Sequence, residues 1–552
     1  NLGLTYGSLD QSNDAIASYL QALSIDANYP QSRQNLAQAY VQQKRHHDAI
    51  NQFKIFSRLN LSAQQQVISV QGEIACYMEL NQDDFALEFA DSFEDRRVQL
   101  ISRLHVLPVL YRDQNHLAST RERWAKDLRE LYELLSNLRK DDPAWELLYA
   151  HTWTISNFYL SYQMEDDRSL QELYAGVLDR ILRPRFGCFM KSLEHKISKS
   201  SSMRVGIISP HLHNHNGSIW ALGWLETIAT NKDFEIFSYN TGDKYDSGTQ
   251  RFADLGCYRH IPLSAENPEP MFQKVIDDQL DILIFTDIGM HPTSKILSVL
   301  KLAPVQIQGW GHPITSGSQT IDYYFSGSGM EPPGNEEHYS ENLYRLPKTG
   351  LNYERPMALH DGTLLYEKFN LPQNRPLIAS LQSTFKYVPS NDWVVAEIAM
   401  CNPNALILFV GHMGNGSVVD RLIDRIKPHF LKYGLDINHH VQVLPRLSYE
   451  DYLGVLCIAN HAIDTIDWNG GNSSFQSFSL GCPVVTLPTS FMRGRHTLSM
   501  LEVLEIPELV ANDHSEYISI SSKLLQDQIF RQDICSKIKN RADLLFGDRS
   551  IA

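Results

Sequence analysis

The chain lacks any apolar run approaching the roughly 20 residues that a membrane-spanning helix requires, and its first residues are polar. Neither a transmembrane helix nor a signal peptide is expected, and a cytoplasmic protein is the default reading. Its seven cysteines are scattered, odd in number and without CxxC spacing, which speaks against a disulfide framework or a structural zinc site. Positive charge is also short: 49 Lys and Arg against 64 Asp and Glu give a formal net charge of −15. A nucleic-acid backbone would be repelled, so an anionic ligand needs a local pocket of donors. HExxH and a companion acidic cluster are missing as well.

What is present is an ordinary globular composition, 43% hydrophobic, in a chain of 552 residues that is too long for one core. Leu2, Gly3, Tyr6, Ala15, Ile16 and Tyr19 recur 34 residues later as Leu36, Ala37, Tyr40, Ala49, Ile50 and Phe53, which is the tetratricopeptide period. Because the pattern is already under way at Asn1, residues 1–60 read as truncated repeats of a longer superhelix. Such repeats bind extended peptide on a concave face, or merely cap the next domain. Residues 61–200 stay helical without the period, as in RERWAKDLRELYELLSNLRK. Trp153, Phe158, Tyr159 and Tyr162 read as its core.

At Met203 the texture changes to β-branched strands alternating with helices. The first series is RVGIIS, FEIFSYN, LDILIFT, PVQIQGW and DYYFSG; the second is PLIASLQ, ALILFVG, VQVLP, AIDT and PVVTLP. The fold class is α/β, with two parallel doubly wound lobes over 201–350 and 376–552 joined by a turn-rich connection at 351–375. Ligands in that architecture bind beyond the carboxyl ends of strands. RVGIIS runs into His211, His213 and His215, which suit metal ligation, a cleft base or orienting donor, or plain structural bonding. PVQIQGW ends in a loop where His312, Pro313 and Thr315 make either a tight turn or a substrate contact. Lys386 lies just past PLIASLQ, where a lysine suits a pyrophosphate or merely meets solvent. In AIDTIDWNGGNSSFQSFSLGCPVVTL, the turn Gly470, Gly471, Asn472, Ser473, Ser474 feeds a helix N-terminus, which reads as a helix cap or a phosphate cradle.

Four stretches in this order resemble the O-linked N-acetylglucosamine transferase and SPINDLY family of GT-B glycosyltransferases: RVGIISPHLHNH, APVQIQGWGHPITSG with DYYFSG, the Lys386 loop, and DTIDWNGGNSSFQSFSLGCPVVTLPTSFMRGRH. The resemblance implies a GT-B fold of two Rossmann-like lobes behind the repeats, and inverting, metal-independent sugar transfer from a nucleotide-sugar to protein Ser or Thr. The donor it implies first is UDP-N-acetylglucosamine, with UDP-glucose or GDP-fucose as alternatives and no further cofactor. Lys386 and the Gly470 turn would meet the leaving diphosphate. His215 falls on the family's cleft histidine, a base or an acceptor-positioning group, with His211, His312, Pro313 and Thr315 on the acceptor or sugar side. Gln382, Leu447, Tyr452 and Arg495 fall on the donor side, the tyrosine stacking on the base. Gln476 replaces an acidic residue that binds the ribose hydroxyls, and so admits a changed donor, weaker binding or an inactive adaptor.

Overall fold

The computed structural model describes residues 12–191, 202–411 and 416–548, and it contains two compact units. The first comprises Asn1–Val109, Ala118–Leu160 and Leu173–Cys188; the second comprises Leu110–Leu117, Ser161–Glu172 and Phe189–Ala552.

The first unit is helical, opening with α1 (Ser12–Ile25), α2 (Pro30–Gln42), α3 (His46–Phe56) and α4 (Ala63–Glu79). The repeat positions Ala15, Ile16, Tyr19, Leu36, Ala37, Tyr40, Ala49, Ile50 and Phe53 are buried together in one apolar cluster. Small residues at alternate positions let neighbouring helices close on the aromatic rings. Leu2, Gly3 and Tyr6 lie outside the described residues. Ser62 starts α4 with a reciprocal capping box to Gln65, which fixes where the repeats hand over to the next helices.

The second unit holds two all-parallel sheets. The first sheet contains β1 (Met203–Ser209), β2 (Phe234–Asn240), β3 (Cys257–His260), β4 (Ile282–Phe285), β5 (Val305–Gln308), β6 (Tyr323–Gly327) and β7 (Asn342–Leu346), in spatial order β3-β2-β1-β4-β5-β6-β7. In the second, β8 (Leu377–Ala379), β9 (Leu406–Val410), β10 (Val441–Leu444), β11 (His461–Ile463) and β12 (Val484–Val485) take the order β10-β9-β8-β11-β12. Central strands such as ILIF and LILFV are buried on both faces, as helix-covered parallel strands must be. The register sets Val205 between Ile236 and Ile282, so apolar side chains run across the sheet. In each sheet the chain reverses its direction of winding once, between β1 and β4 and between β8 and β11. Those reversals open crevices at the carboxyl ends of the strands.

Two strands go beyond the sequence reading. CYRH and NLYRL sit at the two edges of the first sheet and are largely half-buried or exposed. Edge strands carry no apolar run because only one side of each is covered. A second difference concerns the helical stretch: 110–117 and 161–172 belong to the second unit, not the first. There Tyr162 is buried and stacks on Trp468 with ring centroids 3.9 Å apart, and it also packs against Phe385. Gln171 accepts from Lys295 at 3.0 Å, and the Tyr111 carbonyl accepts from Arg425 at 2.7 Å. Trp153, Phe158 and Tyr159 are half-buried.

No helix among the described residues is long and apolar enough to cross a membrane. All seven cysteines are free thiols.

Candidate functional site

At the first reversal, the loop leaving β1 carries the histidines, and Thr286 and Asp287 follow β4. This carboxylate is fully buried and accepts from Ser209 Oγ at 2.9 Å, Thr286 Oγ1 at 3.0 Å and Ser294 Oγ at 2.9 Å. His211 Nε2 stands 3.8 Å from Asp287 Oδ2, and its ring stacks on that of His215 with centroids 4.1 Å apart. The Gly217 N–H donates to His215 Nδ1 at 3.0 Å. That bond assigns the proton of a neutral ring to Nε2. Burial lowers both His211 and His215 to about 4, so both are neutral at pH 7. His213 is separate, with Nδ1 3.8 Å from Asp246. Helix α5 (Ile219–Ile228) follows.

The loop after β5 is held from behind. A Cβ at Gly311 would lie 1.8 Å from the Thr286 carbonyl oxygen, so only glycine lets the loop cross the end of β4. Thr315 Oγ1 donates to Glu341 at 2.6 Å and the Ser316 N–H donates to it at 2.7 Å. His312 is buried, its ring pushed down to about 3 by desolvation. Pro313 is buried between these anchors. The structure thus uses Thr315 as an internal tie of the loop.

At the second reversal, Lys386 closes the single helical turn Thr384–Lys386 beyond β8. Its Nζ donates to Gln382 Oε1 at 2.9 Å and to the Asn469 carbonyl at 3.0 Å. Burial pushes the ammonium down to about 8, against the pull of Asp464. Gln382 Nε2 donates to Ser473 Oγ at 2.9 Å. Tyr452 lies on α6 (Tyr449–Ile458), where desolvation raises its hydroxyl well above the usual range. Helix α7 (Asn472–Ser479) begins after Gly471, so the Asn472 and Ser473 amides have no carbonyl within the helix to donate to. The Gly470 N–H is committed elsewhere, to Asp464 Oδ1 at 2.6 Å, while Thr486 Oγ1 donates to Oδ2 at 3.1 Å. Buried Asp464 is raised to about 6 by desolvation. Ser474 pairs with Thr497 of α8 (His496–Leu504) at 2.8 Å and anchors the turn. Asn472 Nδ2 reaches across to the Asn216 carbonyl of the first lobe at 3.3 Å.

Gln476 lies within α7, four residues past Asn472, and half-buried Leu447 precedes α6. Arg495, at the start of α8, donates to the Thr489 carbonyl at 3.1 Å. Of the sequence candidates, Gln382, Lys386 and Ser473 form one connected network, His211 and His215 form another, and Asn472 links the second lobe to the histidine loop. Asp464 and Asp287 escape the sequence reading. Asp464 is one residue and Asp287 two residues past an apolar strand, and that position past a strand's carboxyl end is the signal that finds them. Among the described residues no group of three or more His, Cys, Asp or Glu side chains could hold a metal ion.

A family model described as Glycosyl transferase family 41 matches residues 181–358 and 368–548, and a tetratricopeptide repeat model matches residues 1–29. The chain is 25% identical over 344 residues to a probable UDP-N-acetylglucosamine–peptide N-acetylglucosaminyltransferase SPINDLY of Arabidopsis thaliana, covering 58% of this chain and 35% of that protein. It is 21% identical over 365 residues to a UDP-glucose:protein N-beta-glucosyltransferase of Actinobacillus pleuropneumoniae, covering 65% and 56%. The chain spans about a third of the length of the SPINDLY relatives it matches. Among solved structures, a mutant of the Thermobaculum terrenum O-GlcNAc transferase superposes with a TM-score of 0.66 at 18% identity, covering 100% of this chain and 93% of that one. At that identity the match concerns the fold, a GT-B arrangement behind repeat helices.

Proposed function

The chain belongs to glycosyl transferase family 41, and we propose that it moves a hexose from a nucleotide-sugar to a Ser or Thr hydroxyl of protein acceptors, with UDP-N-acetylglucosamine the first candidate donor. The observation that carries this reading is the network of Lys386, Gln382 and Ser473 at the N-terminus of α7. A half-buried ammonium beside free helix amides suits the charge that grows on a departing diphosphate, with no metal needed to neutralise it.

In this reading the acceptor oxygen attacks the anomeric carbon from the face opposite the diphosphate. The new C–O bond forms as the bond to phosphate oxygen breaks, the electron pair leaves with the diphosphate, the proton of the acceptor hydroxyl is taken up by an oxygen of that departing diphosphate, and configuration inverts. Lys386 and the Asn472 and Ser473 amides stabilise that leaving group. Because Gly217 holds Nδ1, the neutral His215 ring offers a proton at Nε2 and acts as a positioning donor to a substrate oxygen. Tyr452 and Leu447 flank the nucleobase, with Gln476 and Arg495 completing the donor side and His211, His312 and Pro313 backing the sugar. The repeat helices present acceptor proteins. Free thiols throughout suit a reducing compartment, and we place the reaction in the cytoplasm.

UDP-glucose is the second candidate, favoured by the bacterial relative whose name specifies it. A thermal-shift screen of UDP-N-acetylglucosamine, UDP-glucose and GDP-fucose, followed by mass analysis of acceptor proteins, tests the proposal. Stabilisation by one donor with a matching mass increment supports it; absence of both binding and transfer overturns it.

A further inference from the structure

Lys386 lies between two residues that are gripped from outside its own lobe. On one side is Phe385, whose ring meets that of Tyr162 edge-on with centroids 4.5 Å apart. On the other is buried Val388, which shares an apolar cluster with Tyr111 and Leu117, with Met164 packed against it. All of these partners come from 110–117 and 161–172, which precede the lobes in sequence and belong with them in space. Arg425 closes the grip by donating to the Tyr111 and Tyr387 carbonyls, each at 2.7 Å. Gln163 Nε2 adds a bond to the Tyr111 hydroxyl at 2.6 Å.

The same Tyr162 ring also meets the approach to the glycine turn. It stacks on Trp468 with centroids 3.9 Å apart and planes inclined by 22°, and Trp468 stands two residues before Gly470. Asp467 takes a left-handed backbone there, φ 72°, which a short polar residue tolerates, and its carboxylate accepts from Asn391 Nδ2 at 3.1 Å. Thr465 Oγ1 donates to the Trp468 carbonyl at 2.6 Å, and the next carbonyl, that of Asn469, accepts from Lys386 Nζ at 3.0 Å. Gln382 takes a second of the three ammonium N–H groups. Tyr162 is 6% and Trp468 4% exposed. Aromatic pairs in so dry a core prefer defined geometries and gain more than the area they bury, so they set position as well as stability. Resting on the donor-site reading above, we propose that Tyr162 is a positioning residue for sugar transfer: wedged between Phe385 and Trp468, its ring holds Lys386 and the Asn469 carbonyl in register at the diphosphate cradle. It acts through Lys386 and touches no reacting atom.

Tyr162→Leu removes the ring and Tyr162→Phe keeps it. Initial-rate kinetics, and calorimetric titration with UDP and GDP at about pH 7 and pH 9, are run on wild type, both variants and Lys386→Ala. Loosening the turn lets water reach the ammonium, whose titration then rises from about 8 toward the usual 10.5. Asp464 and His496, the ionisable groups beside it, are left in place. Tyr162→Leu is therefore expected to lower kcat roughly 10- to 100-fold with a smaller change in KM, and to lose less nucleotide affinity than wild type between the two pH values. Tyr162→Phe should match wild type on both counts. A wild-type kcat in Tyr162→Leu, or a wild-type pH dependence of binding beside a lowered Tm, overturns the positioning role, as does a Tyr162→Phe variant no better than Tyr162→Leu. Undiminished nucleotide affinity in Lys386→Ala overturns the donor-site reading and this inference together. Should Tyr162→Leu fail to fold, Phe385→Leu breaks the same contact from the Lys386 side, and the same two readouts decide.

Discussion

Asn472 Nδ2 donates to the Asn216 carbonyl oxygen at 3.3 Å, joining the turn that starts α7 to the loop that carries His215. The two halves of the site are therefore set against each other by a partly exposed bond. Asn472→Ala is expected to lower kcat/KM for the donor about three- to tenfold, in keeping with the loss of one neutral hydrogen bond. Initial-rate kinetics check this, and the Tm should move little.

Lys386→Ala should cost about 3 to 4 kcal/mol of transition-state stabilisation, or roughly 100- to 1000-fold in kcat/KM. The pH dependence has a definite sign. The ammonium titrates at about 8 in the folded protein instead of 10.5, so the free protein loses this cation as pH rises through about 8. UDP affinity should fall over that range in wild type and stay level in Lys386→Ala, as titrations at about pH 7 and pH 9 would show.

For Asp464 the shift is upward, from 3.8 to about 6. Between those values the folded protein binds more protons than the unfolded chain, so this group's contribution falls as pH rises and the cost is fully in force above about 6. Asp464→Asn can still accept from the Gly470 N–H and carries no charge. Its Tm relative to wild type should be more favourable at about pH 7.5 than at about pH 4.5, measured by calorimetry.

His215, lowered to about 4 by burial, should contribute no inflection to log kcat/KM between about pH 5.5 and pH 7.5. A rate profile in that window checks it. A limb near pH 6.5 that disappears in His215→Asn would contradict the positioning role.

Thr315→Val keeps the shape of the side chain and removes the bond to Glu341. The expected loss is about 1 to 3 kcal/mol of stability, because a buried carboxylate oxygen loses a donor. Nucleotide affinity should be unchanged. Chemical denaturation and a UDP titration on the same variant separate a loop anchor from a ligand contact.

Much of this site can be read along the chain because parallel sheets put ligand groups just past strand ends. Lys386 after PLIASLQ, the histidines after RVGIIS and the glycine turn after AIDT all obey that rule. What stays hidden depends on partners distant in sequence. Nothing near Thr315 announces Glu341 as its acceptor. The edge strands CYRH and NLYRL lack the apolar signature that burial on two faces imposes. Gly470 illustrates the remaining difficulty: its amide reads as a phosphate donor until the structure assigns it to Asp464, six residues earlier.

Tyr162 carries a consequence for how this protein could be divided or recombined. The chain between the repeats and Met203 looks like a dispensable spacer, yet it supplies an aromatic ring that stacks on Trp468 and touches Phe385, the neighbour of Lys386. A break at residue 200 would leave an aromatic surface of the second unit, at Trp468 and Phe385, uncovered. Exchange of the repeats by engineering must therefore carry 110–117 and 161–172 with the lobes, because the second unit is discontinuous in sequence.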